Sequence, residues 1–291
     1  MPKIKQKKDL PDIQELKTGY PQKAIQKVGI RNVRVPIRID KKDGGENICS
    51  AEISIYTDLT KESKGTNMSR YRILIEEFLI EKNVKLHDLV REMLIATKER
   101  LGSNNAYLKI RFPYYLVTTA PASKLKSYID LRVTFEGKLT VKSPVKFQGE
   151  LAKQDDKMEL FLTVRVPYTS LCPCSKKISE YGAHNQRSFA DVTVKLDESK
   201  GIMWIEDIYE VVNKCASAPI INGLKREDEA YQTELMYEQP KFVEDMVREI
   251  GQELDKELDK RITDYTVVVN HEESIHTHDA VAVISAGRNL I

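Results

Sequence analysis

The chain has few cysteines, no excess charge of one sign and no long apolar run, and each shortage excludes a class of protein. Its 291 residues include 4 cysteines and carry a net charge of +2. These numbers argue against a dense disulfide framework and against nucleic acid or membrane as a partner. No apolar stretch approaches the roughly 18 residues of a membrane span, and the basic N-terminus lacks the apolar core of a signal peptide. We therefore expect a cytoplasmic protein with reduced thiols.

Catalytic motifs that depend on glycine are also absent. The sequence contains no Gly-rich phosphate loop, no GxGxxG before a helix and no GxSxG turn, which excludes the common nucleotide-binding loops and the serine-hydrolase nucleophile turn. A composition of 41% hydrophobic and 31% charged residues is nevertheless typical of a globular protein with a core. Any chemistry must come from another kind of motif.

The spacing of apolar residues predicts an α+β chain after a lysine-rich tail at 1–27. Alternating apolar and polar side chains indicate strands, and apolar residues at helical spacing indicate helices. In the first half the predicted strands are 29–41, 47–58, 106–118 and 128–139, around two helices that break at 82–84 and stop at Gly102. In the second half the predicted strands are 141–152, 158–168, 188–196, 264–270 and 279–286, with helices at 203–216 and 240–260.

The similar order of elements in both halves indicates two tandem modules, at 28–140 and 141–291. Each is predicted to be an antiparallel sheet with paired helices on one face. The second module begins with a hairpin around Asp155-Asp156, and its last helix opens with Pro240, a residue that suits a first helical turn. Because open strand edges in such sheets are usually paired or covered, we expect an oligomer.

The segment at 169–188, TSLCPCSKKISEYGAHNQRS, carries the strongest chemical signal. Cys172 and Cys174 stand one residue apart, and His184 follows twelve residues after Cys172. Thiolate sulfur and imidazole nitrogen are the donors that zinc prefers. Since the intervening proline fixes the backbone, we expect one sulfur to bind while the other packs or hydrogen-bonds. A metal short of protein ligands keeps a position open for water, as catalytic sites do.

The remaining histidines and cysteines divide into site candidates and structural residues. His276 and His278 would point to one face of an extended segment, which favours a site cluster over an exposed turn. His87 falls on the polar side of a predicted helix and is interpreted as a surface residue. Cys49 and Cys215, like Cys174, are predicted to be small buried hydrophobes.

Charged residues near these motifs suit the parts of a nucleotide. Glu244, near the start of the last predicted helix, would accept two parallel hydrogen bonds from a purine edge, although a carboxylate there also stabilises the helix. The acidic run at 227–229 is typical of a solvated face. Lys176, Lys177 and Arg187 lie near the Cys/His segment, and they would either neutralise phosphates or simply add solubility.

Taken together, SLCPCSK, YGAHNQRS, KREDE, FVEDMVRE and ESIHTHDA make the chain resemble the prokaryotic type IB GTP cyclohydrolases. The resemblance runs from about residue 28 to the C-terminus. It implies the tunnelling fold in tandem copies, assembled into a barrel-like homotetramer. It also implies a zinc- or manganese-dependent opening of the GTP imidazole ring, which releases formate and gives 7,8-dihydroneopterin triphosphate, the first step of folate biosynthesis.

The resemblance also implies roles for single residues. Cys172, His184 and Glu229 are similar to the family's metal site, and Glu244 is similar to the glutamate that anchors guanine. The triphosphate of the substrate would be bound by the basic residues near the Cys/His segment, Lys176, Lys177 and Arg187. Cys172 and His184 thereby become catalytic residues as well as metal ligands.

The histidine-rich C-terminal segment is similar to a segment that holds catalytic groups in the family. His276 and His278 are the candidates for these groups, and His271 is a third possibility that stays open.

Two alternatives to a cyclohydrolase remain. Cys172 would be a nucleophile in an enzyme like the nitrile reductases of the same fold. A non-enzymatic interaction protein would hold a structural metal, but no Cys-x-x-Cys pair supplies further donors.

Overall fold

The computed structural model describes residues 19–81, 86–141, 156–197 and 199–286. The strands in these ranges are β1 Ile25–Asp40, β2 Glu46–Leu59, β3 Ala106–Thr119, β4 Lys126–Val141, β5 Asp156–Leu171, β6 Asn185–Leu196, β7 Ala218–Pro219, β8 Ile262–His271 and β9 Ala280–Ser285. The helices are α1 Met68–Glu81, α2 Leu86–Leu101, α3 Pro173–Ile178, α4 Ile205–Cys215, α5 Arg226–Glu238 and α6 Val243–Asp255. No helix in the described ranges has the length and apolar character needed to cross a membrane.

The strands follow the order β1-β2-β3-β4-β5-β6-β8-β9, and the short β7 pairs with β5. The pairs β5–β6, β6–β8 and β8–β9 are antiparallel. Buried and more exposed residues alternate along β4 and β6, because successive side chains of a strand point to opposite faces. This alternation is the reason why the sequence pattern revealed the strands.

Backbone contacts divide the chain into two compact units. The first unit comprises Met1–Pro36, Glu52–Ile110 and Glu136–Met158, and the second comprises Ile37–Ala51, Arg111–Phe135 and Glu159–Ile291. The tandem modules at 28–140 and 141–291 stay a prediction.

The first unit is built around the packing of α1 on α2. Tyr71, Leu74 and Met93 are among its fully buried side chains, and each contributes roughly 1.5–3 kcal/mol through burial of apolar surface. The Tyr71 hydroxyl lies 2.6 Å from Oγ1 of Thr57, so the polar end of this buried ring is paired.

In the second unit α6 lies against β8 and β9, and α4 packs on α6. The buried stripe of α6 includes Met246, Ile250 and Leu254, each 0% exposed. Their four-residue spacing places them on one helical face. This packing fixes β8, and with it the histidine at the end of that strand.

The predicted strand, strand, helix, helix, strand, strand order of the first half is confirmed. The last helix, however, is shorter than the predicted 240–260. It begins at Val243 because the Asp245 carboxylate accepts the Phe242 N–H at 3.0 Å, which caps the helix there. The prediction that Pro240 stands in its first turn is therefore wrong.

Two helices were not predicted. The six residues of α3 are too few to show a periodic pattern. In α5 the buried residues are Asp228 and Gln232, which are polar, so no apolar stripe marked this helix. The tail up to residue 18, the helix break at 82–84, the His87 side chain and the predicted strand at 141–152 beyond residue 141 lie outside the described residues.

Candidate active site

The Cys/His segment forms the corner between β5 and β6. These strands pair with Leu171 opposite Asn185, so the residues just beyond each strand end are brought together. The Cys172 N–H donates to the His184 carbonyl at 3.1 Å. The antiparallel register thus makes backbone neighbours of two residues that are twelve positions apart in the sequence.

Cys172 stands immediately before α3, where Pro173 takes the first helical position without losing a hydrogen bond. Its sulfur accepts the Ser175 N–H at 3.5 Å. The Ser175 hydroxyl donates to the Cys172 carbonyl at 3.0 Å and accepts the His184 N–H at 3.2 Å. Cys172 is half-buried, whereas Cys174 is exposed. The prediction that Cys174 is a buried hydrophobe is wrong, because α3 turns this side chain to solvent.

The imidazole of His184 is oriented through its Nδ1 atom. Nδ1 lies 3.1 Å from Oε1 of Gln186, 3.5 Å from Oγ of Ser274 and 3.9 Å from Oε2 of Glu273. The His184 and Glu273 side chains are only 14% and 16% exposed. Since these oxygens all lie near Nδ1, Nε2 is the ring nitrogen directed away from them.

The donor chemistry of this corner fits a divalent metal. The sulfur of Cys172 and Nε2 of His184 are preferred zinc donors, and a hydrogen bond at the other imidazole nitrogen is typical of a ligating histidine. Within the part of the chain that the structure describes, no three His, Cys, Asp or Glu side chains are grouped so that they could hold a metal. The full ligand set stays a prediction.

Glu229, the predicted third ligand, is exposed in the first turn of α5. The other end of this helix contacts α3, where the Lys176 ammonium bonds to the Tyr237 carbonyl and lies 4.1 Å from the centre of its ring. About 12 Å of helix separates Glu229 from Tyr237. The metal role of Glu229 remains a prediction.

The preceding residue has a structural role. Asp228 is 0% exposed, and its carboxylate accepts the N–H groups of Ala122, Ser123 and Lys225 at 2.8, 2.9 and 3.0 Å, as well as the Ser123 hydroxyl. Burial raises the pKa of Asp228, but the hydrogen bonds outweigh it and hold that pKa well below its usual range. The prediction of a solvated face is wrong for this residue.

The three C-terminal histidines differ sharply in environment. His271 is 2% exposed, and burial lowers its pKa to about 4 against the opposing charge of Glu244. His276 and His278 are exposed, with ring centroids 4.8 Å apart in a stacked arrangement. The two exposed rings lie in a turn, so the prediction of an extended segment there is wrong.

The predicted substrate-binding residues lie on three elements. Glu244 is exposed in the first turn of α6. Lys176 and Lys177 form the last turn of α3. Arg187, on β6, lines a cavity of about 380 Å³. Their contacts with a nucleotide stay a prediction.

Two further arginines line this cavity, together with Arg187 and several polar and apolar groups. The other lining residues are Arg132, Arg165, Phe189, Asp130, Glu272, Ile129, Pro167, Ile220 and Asn222. The Arg165 guanidinium stacks 4.4 Å from the Phe189 ring centre. Sequence reasoning missed Arg132 and Arg165, although both occupy polar positions of predicted strands, and the strand alternation was the signal that could have revealed them.

Solved structures with very different sequences share this fold. A urate oxidase of Bacillus sp. TB-90 matches with a TM-score of 0.55 and 8% identity, over 90% of this chain and 99% of that one. A uricase of Bacillus fastidious gives the same TM-score and identity, over 89% and 92% of the two chains. The protein therefore has the tunnelling fold, as its motifs predicted.

Sequence comparison identifies the family. A family model described as "Type I GTP cyclohydrolase folE2" matches residues 10–282. The chain is 40% identical over 270 residues to GTP cyclohydrolase FolE2 of Nitrosococcus oceani, which covers 93% of each protein. It is 39% identical over 265 residues to the enzyme of that name from Citrifermentans bemidjiense, which covers 91% and 90%. The chain belongs to the type I GTP cyclohydrolase folE2 family.

Proposed function

We propose that this protein is a GTP cyclohydrolase, which opens the imidazole ring of GTP and yields formate and 7,8-dihydroneopterin triphosphate for folate biosynthesis. The family match over nearly the whole length supports this reaction. The structural observation that supports the proposal is the β5–β6 corner, where a backbone hydrogen bond joins Cys172 to His184. We further propose that the reaction takes place in the cytoplasm.

A divalent metal, zinc or manganese, would be held by Cys172, His184 and Glu229, and when bound it supplies Lewis-acid activation of water. Thiolate and imidazole suit zinc, while the carboxylate also suits manganese. The half-buried Glu273, 3.9 Å from Nδ1 of His184, adds negative charge around that ring. It would favour a cation at this corner.

The substrate would be held at both of its ends. Glu244 would accept the two adjacent N–H donors of the guanine edge. Arg187 would bind the triphosphate bidentately, with Lys176 and Lys177 as point charges. Such remote binding places carbon 8 of the purine at the reaction centre and converts binding energy into rate.

The exposed imidazoles of His276 and His278 would exchange protons with the substrate during ring opening. Water adds to carbon 8, and the ring nitrogen takes up a proton as its bond to that carbon breaks. A second water releases carbon 8 as formate. Closure of the pterin ring from the rearranged sugar returns one water, so the net reaction consumes one water for each GTP.

The finer features of the proposal rest on the motifs alone. They include the IB subtype within type I, a homotetramer that closes the sheets into a barrel, and the choice of metal. Size-exclusion chromatography with light scattering tests the assembly, and elemental analysis of the purified protein tests the metal.

The activity is tested by incubating zinc- or manganese-loaded protein with GTP, separating the products and identifying them by mass spectrometry. The proposal predicts 7,8-dihydroneopterin triphosphate. Intact GTP, together with oxidation of NADPH by a supplied nitrile, would instead support Cys172 as a nucleophile. Tightly held metal without either reaction would support a structural role for the metal.

A further inference from the structure

A continuous line of buried hydrogen bonds runs behind the Cys/His corner. We call it the Gln186 network, and its members in order are Ser188, Ser170, Gln186 and His184. Tyr168, which hydrogen-bonds to His271, stands opposite Ser188 in the strand register. All members except His184 are at most 5% exposed. Burial of a polar group costs free energy unless the group is paired, and here each member of the network is hydrogen-bonded to the next.

Behind the deep end of the network, Tyr168 on β5 and His271 on β8 stand on either side of Ser188 on β6. Nε2 of His271 is 3.0 Å from the Tyr168 hydroxyl. Burial raises the pKa of Tyr168, and His271 supplies the hydrogen-bond partner of its buried hydroxyl.

The direction of the hydrogen bonds is set at the Gln186 end of the network. The Ser170 and Ser188 hydroxyl oxygens are 2.8 Å apart. The Gln186 amide nitrogen donates to Ser170 at 2.8 Å, so the Ser170 proton points on toward Ser188. The Gln186 carbonyl oxygen is left facing Nδ1 of His184 at 3.1 Å. An amide oxygen only accepts, so Nδ1 must carry the hydrogen.

We propose that Gln186 is a positioning residue, which holds His184 in the tautomer with hydrogen on Nδ1 and so presents the Nε2 lone pair to a metal. Ser170 and Ser188 set the orientation of Gln186, because a flipped amide would place its carbonyl oxygen against the Ser170 oxygen, whose proton points to Ser188, so that two acceptors would face each other. The consequence for metal binding rests on the proposed function, whereas the tautomer itself does not.

A cross-strand pair on the same two strands provides a matched control. Oγ1 of Thr163 and Oγ1 of Thr193 lie 2.9 Å apart, as the two serine hydroxyls do. This threonine pair lies at the opposite end of β5 and β6 from His184. Removing a hydroxyl in Thr163→Val tests strand pairing without touching the Gln186 network.

The tautomer is measured in metal-free protein labelled with ¹⁵N-histidine, at a pH where His184 is neutral. The proposal predicts a protonated Nδ1 and an unprotonated Nε2 for His184 in the unsubstituted protein. A signal from protonated Nε2 in that sample overturns the proposal without the need for any variant.

Zinc affinity, measured by competition with a chromophoric chelator, tests the consequence. Gln186→Leu should bind zinc about 10–100-fold more weakly. Gln186→Glu, which keeps an acceptor for Nδ1–H, should recover most of the affinity, and Thr163→Val should match the unsubstituted protein. Unchanged affinity in Gln186→Leu, or an equal loss in Thr163→Val, overturns the positioning role. Absence of GTP turnover in the unsubstituted protein would refute the proposed function and leave the tautomer result intact.

Discussion

The Tyr168 hydroxyl lies 3.0 Å from Nε2 of His271, and these two side chains are 0% and 2% exposed. Their rings meet edge to face, with centroids 5.9 Å apart. Of the three histidines near the C-terminus, the one at the end of β8 is therefore buried and hydrogen-bonded. It supports the corner of Cys172 and His184 from behind and does not face solvent.

Burial of His271 makes the free energy of unfolding of the protein depend on pH, with lower stability in acid. Its folded pKa of about 4 lies below the ordinary value of 6.5, so the unfolded state takes up a proton before the folded state does. The stabilisation is present above pH 6.5 and is lost as the pH falls toward 4, by roughly 3 kcal/mol at most. Urea unfolding at pH 7 and 4.5 should show a smaller acid loss in His271→Gln. Equal losses in both proteins would contradict the burial argument.

The two cysteines of the Cys-Pro-Cys segment should respond differently to substitution. Cys172→Ala should lose nearly all bound zinc and all turnover, because it removes the proposed thiolate ligand, while the fold survives. Cys174 is exposed, so Cys174→Ala serves as the matched control and should keep both properties. Elemental analysis, turnover and circular dichroism measure the three quantities. Full zinc content and activity in Cys172→Ala would refute its metal role.

Substitutions of the adjacent acidic residues Asp228 and Glu229 on α5 should have different effects, one on thermal stability and the other on metal content and turnover. Asp228→Asn removes a buried charge that four hydrogen bonds satisfy, so it should lower the Tm clearly. Glu229→Gln changes an exposed carboxylate and should leave the Tm unchanged while it lowers zinc content and turnover. Thermal unfolding and elemental analysis of both variants give the comparison. Normal zinc content and rate in Glu229→Gln would remove Glu229 from the metal site.

Glu244 should act on substrate binding. Glu244→Gln replaces a charged acceptor for the guanine edge, and such a hydrogen bond contributes about 1.5–3 kcal/mol. We expect KM to rise roughly 10–100-fold with a smaller change in kcat. Gln252, exposed on the same helix, provides the control variant Gln252→Ala. A KM that is unchanged in Glu244→Gln would exclude the guanine contact.

Periodicity predicted most of the fold because burial alternates along the strands and repeats along α2, α4 and α6. It failed for α5, whose buried residues Asp228 and Gln232 are polar. It also failed at the start of α6, where the Asp245 cap, which no apolar pattern reports, sets the boundary.

For the site, donor chemistry and motif resemblance predicted the pair Cys172 and His184, and the strand register brings them together. The proposed role of Gln186 could not be predicted. It depends on which side chains face each other across β5 and β6, and on the hydrogen bonds that Gln186 makes to Ser170 and His184. Such relationships arise only from the folded register.

The most direct test of the account is the fate of carbon 8 of GTP. Metal-loaded protein supplied with GTP labelled with ¹³C at that position should release labelled formate, followed by NMR, at one equivalent for each GTP consumed. The rate should fall to background in Cys172→Ala. Consumption of GTP with the label retained in a purine or formamide product, or with no labelled formate, would contradict the proposed hydrolytic ring opening.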